Sequence, residues 1–517
     1  MGDPTEMATR GFVDVNTRFG PDHGTAGTAG APLELLVAER QAHGIRISLA
    51  SSLLATWADG PTGNRLAAEA AADPANGLAA VAVVGARQSS DAAHRVNEAE
   101  RAGAVGYRLD GWDGALPPPE SVREILGAVA RTGRPLLIPI GRFGAASMIG
   151  AATEGLGIPV VLLGSHYTTV VDDLAAAVRY PQIYLETSAL AHFRAIETAV
   201  WTIGVERILF GTGSPARAAA SPIGAVLAAA IPDEAKRAIM AGNAVRLFGL
   251  ADGPVDLAMP AGPARAFDVH THFGPFDFDV PDVADADLLG ALEYPATRAA
   301  VASAALGIFG DPARGNAQAA RAAAGTATGR PGAGDRGDGI YGYVVADPTD
   351  LAHSEQQLRR YLDAPGMLGV KVHGEWSGTL TTAPAMTDLF ALLAQFGRPV
   401  KIHNAGAGWD EALGVIARRH PRLPIIIAHA GLGTPSVEGA RLAASNDNVY
   451  LEMSSSFAHL PTVREAVAIA GPDRLLWGSD APLLEPAFVL GTYLDAGLAP
   501  DSMDRVFWGN AAQLFGS

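Results

Sequence analysis

Phe267-Asp268-Val269-His270-Thr271-His272-Phe273-Gly274-Pro275 sets two histidines one residue apart at the end of a short apolar run. Residues i and i+2 of a strand face the same side, so both imidazoles can meet one metal ion. Further polar residues recur at the ends of other apolar runs. Lys371 and His373 end Leu368–Val372, His403 ends Val400–Ile402, His429 ends Ile425–Ala428, and Asp480 follows Leu475 to Ser479. Three imidazoles and a carboxylate suit Zn²⁺ or another divalent ion that keeps one position open for water. Such an ion would acidify the water and polarise a carbonyl. A single His-x-His is a weak sign, since histidines at strand ends also cap carbonyls. The recurrence at separate run ends is what makes the pattern specific.

Positioning these groups requires strands whose C-terminal ends share one rim, and the chain writes that architecture twice. Asp14-Val15-Asn16-Thr17-Arg18-Phe19-Gly20-Pro21 matches Asp268 to Pro275 except at the two histidines. In the same order, Gly63-Asn64 matches Gly315-Asn316, and Gly106-Tyr107-Arg108 matches Gly369-Val370-Lys371. Arg134 to Pro139 matches Arg398 to His403, Ile183 to Glu186 matches Val449 to Glu452, and Gly242-Asn243-Ala244 matches Gly509-Asn510-Ala511. Apolar runs suited to a buried parallel sheet alternate with helical patterns such as Val122, Ile125, Leu126 and Val129. The expected fold is α/β, two tandem TIM-type (β/α)8 barrels. Residues 1–250 form the first, 265–517 the second, with a Pro- and Gly-rich linker at 251–264 between them. Ala324 to Gly339, rich in Gly, Ala and Thr, is expected to be a surface loop able to act as a lid.

A chain of 517 residues accommodates two such barrels. Its net charge of −16 argues against nucleic acid or an anionic membrane as partner. With no cysteine, any metal must be held by His and carboxylate. The polar start at Met1 to Arg10 and the lack of a long apolar run point to a soluble cytoplasmic protein acting on a small molecule.

His-Thr-His after the first strand, Lys near the fourth, His at the fifth and sixth and Asp after the eighth together resemble the amidohydrolase superfamily. The branch that combines metal-dependent hydrolases with aromatic-acid decarboxylases is the most similar. The resemblance implies that His270, His272, His403 and Asp480 hold one divalent metal, zinc or else manganese. It implies that Asp480 also takes a proton from water and that His429 is the nearby acid/base. Lys371 would bridge two ions if carboxylated; with a single ion, Lys371 and His373 would touch substrate. The first half departs at each position: Asn16, Arg18, Pro139, Gly164 and Gly213 replace the ligands, so it is expected to be a degenerate copy without metal. It would be an internal partner in a pseudo-dimer, which leaves room for further homo-oligomers, and Arg18 or Arg108 would lend a cation.

Phe276, Trp376 and Trp409 follow expected strand ends and could line a substrate pocket. Glu186 and Glu452, present in both halves, are read as structural, and the paired Gly-Asn motifs as turns and caps. No Gly-x-Ser-x-Gly or His-Glu-x-x-His is present. The expected activity is metal-dependent hydrolysis of an amide, cyclic amide or ester. Non-oxidative decarboxylation of an aromatic or unsaturated acid is the alternative, and a non-catalytic binding protein a third reading.

Overall fold

A computed structural model describes residues 10–21, 30–86, 91–114, 117–276, 280–326, 338–431, 436–456 and 458–516. The chain forms two compact units, Met1–Pro260 and Ala261–Ser517.

In the first unit the strands are β1 (Phe12–Phe19), β2 (Ile45–Ser52), β3 (Leu78–Val83), β4 (Gly106–Arg108), β5 (Leu136–Pro139), β6 (Val160–Leu163), β7 (Ile183–Glu186) and β8 (Ile208–Leu209). They pair in sequence order as one parallel eight-stranded sheet. The sheet closes on itself: Val15 N–H donates to Phe210 O at 2.9 Å and Gly213 N–H to Asn16 O at 2.8 Å. In the second unit the strands are β9 (Ala266–Phe273), β10 (Thr297–Ala304), β11 (Gly339–Val345), β12 (Met367–His373), β13 (Val400–His403), β14 (Ile425–Ile427), β15 (Val449–Glu452) and β16 (Leu475–Leu476). These again pair in order, and Val269 N–H to Trp477 O (3.0 Å) and Asp480 N–H to His270 O (2.8 Å) close the ring. Each unit is a TIM-type barrel with helices between consecutive strands, as the repeat required.

Branched and aromatic residues fill the interiors. Val13, Val15, Leu49, Val81, Leu137, Val161 and Leu209 pack together in the first barrel. Phe267, Val269, Tyr341, Tyr343, Ile426 and Leu476 do so in the second. Both opening strands break register at the same place, after Asp14 in β1 and after Asp268 in β9. The breaks span Val15-Asn16 and Val269-His270, and a bulge of this kind re-aims the side chains within it.

Asn64 and Asn316 are neither turns nor caps, while Asn243 and Asn510 open helices Asn243–Phe248 and Asn510–Gly516. Asn64 lies inside helix Gly60–Ala72 and clamps both backbone groups of Val83, at 2.8 and 2.9 Å. Asn316 does the same to Val345 at 2.7 and 3.1 Å. The glycines before them lie where helix meets backbone: a Cβ on Gly63 would come within 2.3 Å of Ala55 N. Of the expected lid, Ala324 and Gly325 belong to helix Pro312–Thr326, Gly339 opens β11, and 327–337 lie outside the described residues. His23 and Gly433 also fall outside them. Among the described residues, no helix is long and apolar enough to cross a membrane.

Candidate functional site

At the C-terminal ends of the second barrel's strands, His270 Nε2, His272 Nε2 and one Asp480 oxygen lie within 4.8 Å of one another. Both Nε2 atoms stand 3.2 Å from Asp480 Oδ1. All three side chains are buried. Their far nitrogens are already committed. His270 Nδ1 meets Glu452 Oε1 at 2.8 Å, and His272 Nδ1 meets the Ser303 hydroxyl at 3.0 Å. A carboxylate on Nδ1 requires the proton there, which leaves the Nε2 lone pair of His270 turned into the site. Asp480 and His429 adopt left-handed backbone, at φ +62° and +59°. Non-glycine residues avoid this region, and where they occupy it the surrounding structure holds them there.

Glu452 is the hub of this arrangement. Its Oε1 also accepts Lys401 Nζ at 3.1 Å and the backbone N–H of His429 at 2.8 Å, while Oε2 accepts the N–H of Ser454 at 2.8 Å. Burial would raise this carboxyl, but Lys401, His429 and the Ser454 bonds outweigh it and hold it below the usual range. Burial acts on Asp480 the same way, and the bond from His272 with nearby His429 and Lys371 brings it down to about 2. Lys371 Nζ stands 3.1 Å from His270 Nε2. Burial, with Lys401 nearby, lowers Lys371 to about 7.

The next shell out is made of imidazoles and rings. His429 Nδ1 donates to Ser454 O at 2.7 Å, and its Nε2 faces His403 Nδ1 at 3.2 Å. His403 Nε2 reaches Glu375 Oε2 at 3.1 Å, and the His403 ring stacks on His373 at 4.1 Å. An aromatic edge runs outward from His272 through Phe276 (5.8 Å) and Phe309 (5.5 Å) to Trp376 (4.6 Å).

The amidohydrolase family profile matches residues 55–250 and 267–517. The chain belongs to the amidohydrolase family. It is 32% identical over 208 residues to an L-fucono-1,5-lactonase of Burkholderia ambifaria (strain ATCC BAA-244), spanning 34% of this chain and 69% of the lactonase. Among solved structures it is similar to a 2,6-dihydroxybenzoate decarboxylase from Rhizobium, at 16% identity and TM-score 0.36, over 50% of this chain and 99% of that one. A 5-carboxyvanillate decarboxylase from Sphingomonas paucimobilis aligns at 14% identity and TM-score 0.38, over 49% and 99%.

In this amidohydrolase the expected ligands divide. His270, His272 and Asp480 converge; His403 does not join them, because its Nε2 turns to Glu375 and its Nδ1 to His429. His429 instead groups with His270 and Glu452. Lys371 and His373 border the site through His270 and His403. Phe276 and Trp376 belong to the aromatic edge, whereas Trp409 opens helix Trp409–Arg419. Glu452 is no mere scaffold residue, because it carries His270 directly. Lys401, Ser303, Glu375 and Phe309 were not anticipated. Lys401 had a signal, a lysine inside the run Val400-Lys401-Ile402 that a buried strand cannot solvate.

Proposed function

We propose that the second barrel is a metal-dependent hydrolase that opens a carbonyl-centred bond of a small neutral molecule. A cyclic ester leads the amide, cyclic amide and ester classes. The observation that carries this reading is the convergence of His270 Nε2, His272 Nε2 and Asp480 Oδ1. The donor set fits a divalent ion: two imidazoles with their far nitrogens committed and one ionised carboxylate, all buried. Two nitrogens and an oxygen favour zinc, with manganese as the alternative. Similarity to a lactonase over 69% of that enzyme supports ester chemistry.

When bound, the ion supplies Lewis acidity and makes water easier to deprotonate. The chain's own residues do the rest. Asp480, held ionised, accepts the proton of the attacking water. Glu452 fixes His270 and Ser303 fixes His272, so neither ring has to reorganise during reaction. Ser454 O and Glu375 both require a proton on the ring nitrogen they meet, and the His429–His403 contact requires a third. Two neutral imidazoles hold two protons. Burial pushes His403 down to about 4, so this ring rests neutral and can take up a proton beside the carbonyl.

The test is to load the full chain with zinc or manganese, offer aldono-1,5-lactones and follow proton release, with CO₂ release from dihydroxybenzoates measured in parallel. Lactone turnover abolished by Asp480→Asn is the expected result. CO₂ release without lactone turnover would replace hydrolysis with decarboxylation, and neither, with no metal retained, would sink the enzymatic reading.

A further inference from the structure

Glu375 belongs to no convergent ligand group, yet it is built into the mouth of the second barrel. It sits in the connection that leaves β12, where the backbone is tied down on both sides. Gly374 N–H donates to His403 O at 2.9 Å, Thr379 N–H to Gly374 O at 2.9 Å, and Thr381 N–H to Ala405 O at 3.0 Å. Trp376 N–H donates to His373 Nδ1 at 3.2 Å. The Glu375 side chain is 71% exposed but points back to His403. Water therefore meets a fixed carboxylate one imidazole away from His429. Beside it lies the outer end of the aromatic edge, Trp376, itself 44% exposed.

The connection that leaves β11 on the same rim adds Asp347 and Asp350. Asp350 caps the N-terminus of helix Leu351–Tyr361, where the dipole offsets part of its charge. Glu375 has no such offset. A carboxylate held there beside an aromatic edge favours a neutral, flat or ring-shaped molecule and opposes an anion.

We propose that Glu375 is a specificity-determining residue that admits neutral cyclic substrates and disfavours carboxylates, the reaction's own product included. The inference rests on the reading of the second barrel as a hydrolase of neutral carbonyl compounds. Adding water to a cyclic ester breaks the acyl C–O bond, leaves a hydroxyl at one end and a carboxylate at the other, and releases one proton. The substrate enters neutral and the product leaves carrying the charge that Glu375 repels.

Calorimetric binding to the zinc-loaded full chain tests this with two probes, gluconate and the neutral glucono-1,5-lactam. Glu375→Gln keeps an oxygen that can accept from His403 and removes only the charge. Gluconate is expected to bind about threefold to tenfold tighter to this variant at low salt, with the gain shrinking as salt rises. The lactam should bind both proteins equally, and Glu375→Asp should behave as the unaltered chain. Unchanged or weaker gluconate binding to Glu375→Gln would overturn the proposal. Lactone turnover is read separately. Its absence together with the gluconate gain would sink the hydrolase reading and leave the charge filter standing, while turnover without the gain would do the reverse.

Discussion

Asp14 in the first barrel and Asp268 in the second hold the same two turns. Asp14 Oδ1 accepts the N–H groups of Asn16 and Thr212 at 3.0 and 3.1 Å; Asp268 Oδ1 accepts those of His270 and Ser479 at 2.9 and 3.1 Å. Burial pushes both carboxyls up to about 7. Glu186 accepts Gly164 N–H at 2.9 Å just as Glu452 accepts His429 N–H at 2.8 Å. Glycine lies against each glutamate: a Cβ on Gly211 would come within 2.1 Å of Glu186 Oε2, and one on Gly478 within 2.9 Å of Glu452 Oε2. The framework that aims the strand ends is thus common to both barrels. The groups it aims are not. Asn16 and Arg18 stand where His270 and His272 do, Gly213 where Asp480 does, and Leu137 where Lys401 does. Arg18 and Arg108 close instead on Asp110, at 3.6 and 3.0 Å. Framework and aimed groups are separable in this fold, and among the described residues the convergent His270, His272 and Asp480 stand on the second barrel's framework.

The largest expected difference between the barrels lies in metal and turnover. His272→Asn and Asp480→Asn should each strip the ion, seen by elemental analysis of the purified chain, and lower turnover about a thousandfold or more. Arg18→Asn, at the position matching His272, should change neither. Loss of metal in the Arg18 variant would break the comparison, because it would place part of the metal site in the first barrel.

A smaller effect is expected from Lys401. Burial raises Glu186, which has Leu137 at the position that pairs with β4, whereas Glu452, with Lys401 there, is held down. Lys401→Leu gives the second barrel the first barrel's residue and leaves Glu452 buried without that cation. Its hold on His270 should weaken, and zinc affinity, read by chelator competition, should fall about ten- to a hundredfold. Unchanged affinity would show that Glu452 positions His270 without help from the lysine.

The amino-acid pattern made the barrels legible because repetition in fixed order leaves few other architectures, and because the candidate ligands recurred at the ends of separate apolar runs. What stayed hidden depends on side-chain direction. His403 lies on the expected strand end, but its ring turns toward Glu375, a residue brought near by a connection whose path no periodicity encodes. Glu452 was hidden by its recurrence: its twin beside Gly164 has no histidine to carry, so the shared backbone bond concealed the added role. Phe309 meets Phe276 across separate connections and had no local signal.

The smallest effect concerns backbone strain and sharpens the comparison most directly. Asp480 and His429 sit at φ +62° and +59°; the matching residues of the first barrel are Gly213 at +71° and Gly164 at +89°. Left-handed backbone costs an L-residue about 1 kcal/mol or more and costs glycine nothing comparable. If the second barrel bears this strain for the sake of the proposed roles of Asp480 and His429, the first barrel, with glycine at both places, has the relaxed residue. Gly164→Ala isolates the backbone term, since a Cβ there would meet only Ile140 O at 3.5 Å. It should destabilise the first barrel by about 1 kcal/mol, a fall of roughly 2–4 °C in Tm by calorimetry, with zinc affinity unchanged. A neutral or stabilising Gly164→Ala would mean the left-handed conformation costs nothing at this turn, and the glycines could then not be read as relief of strain.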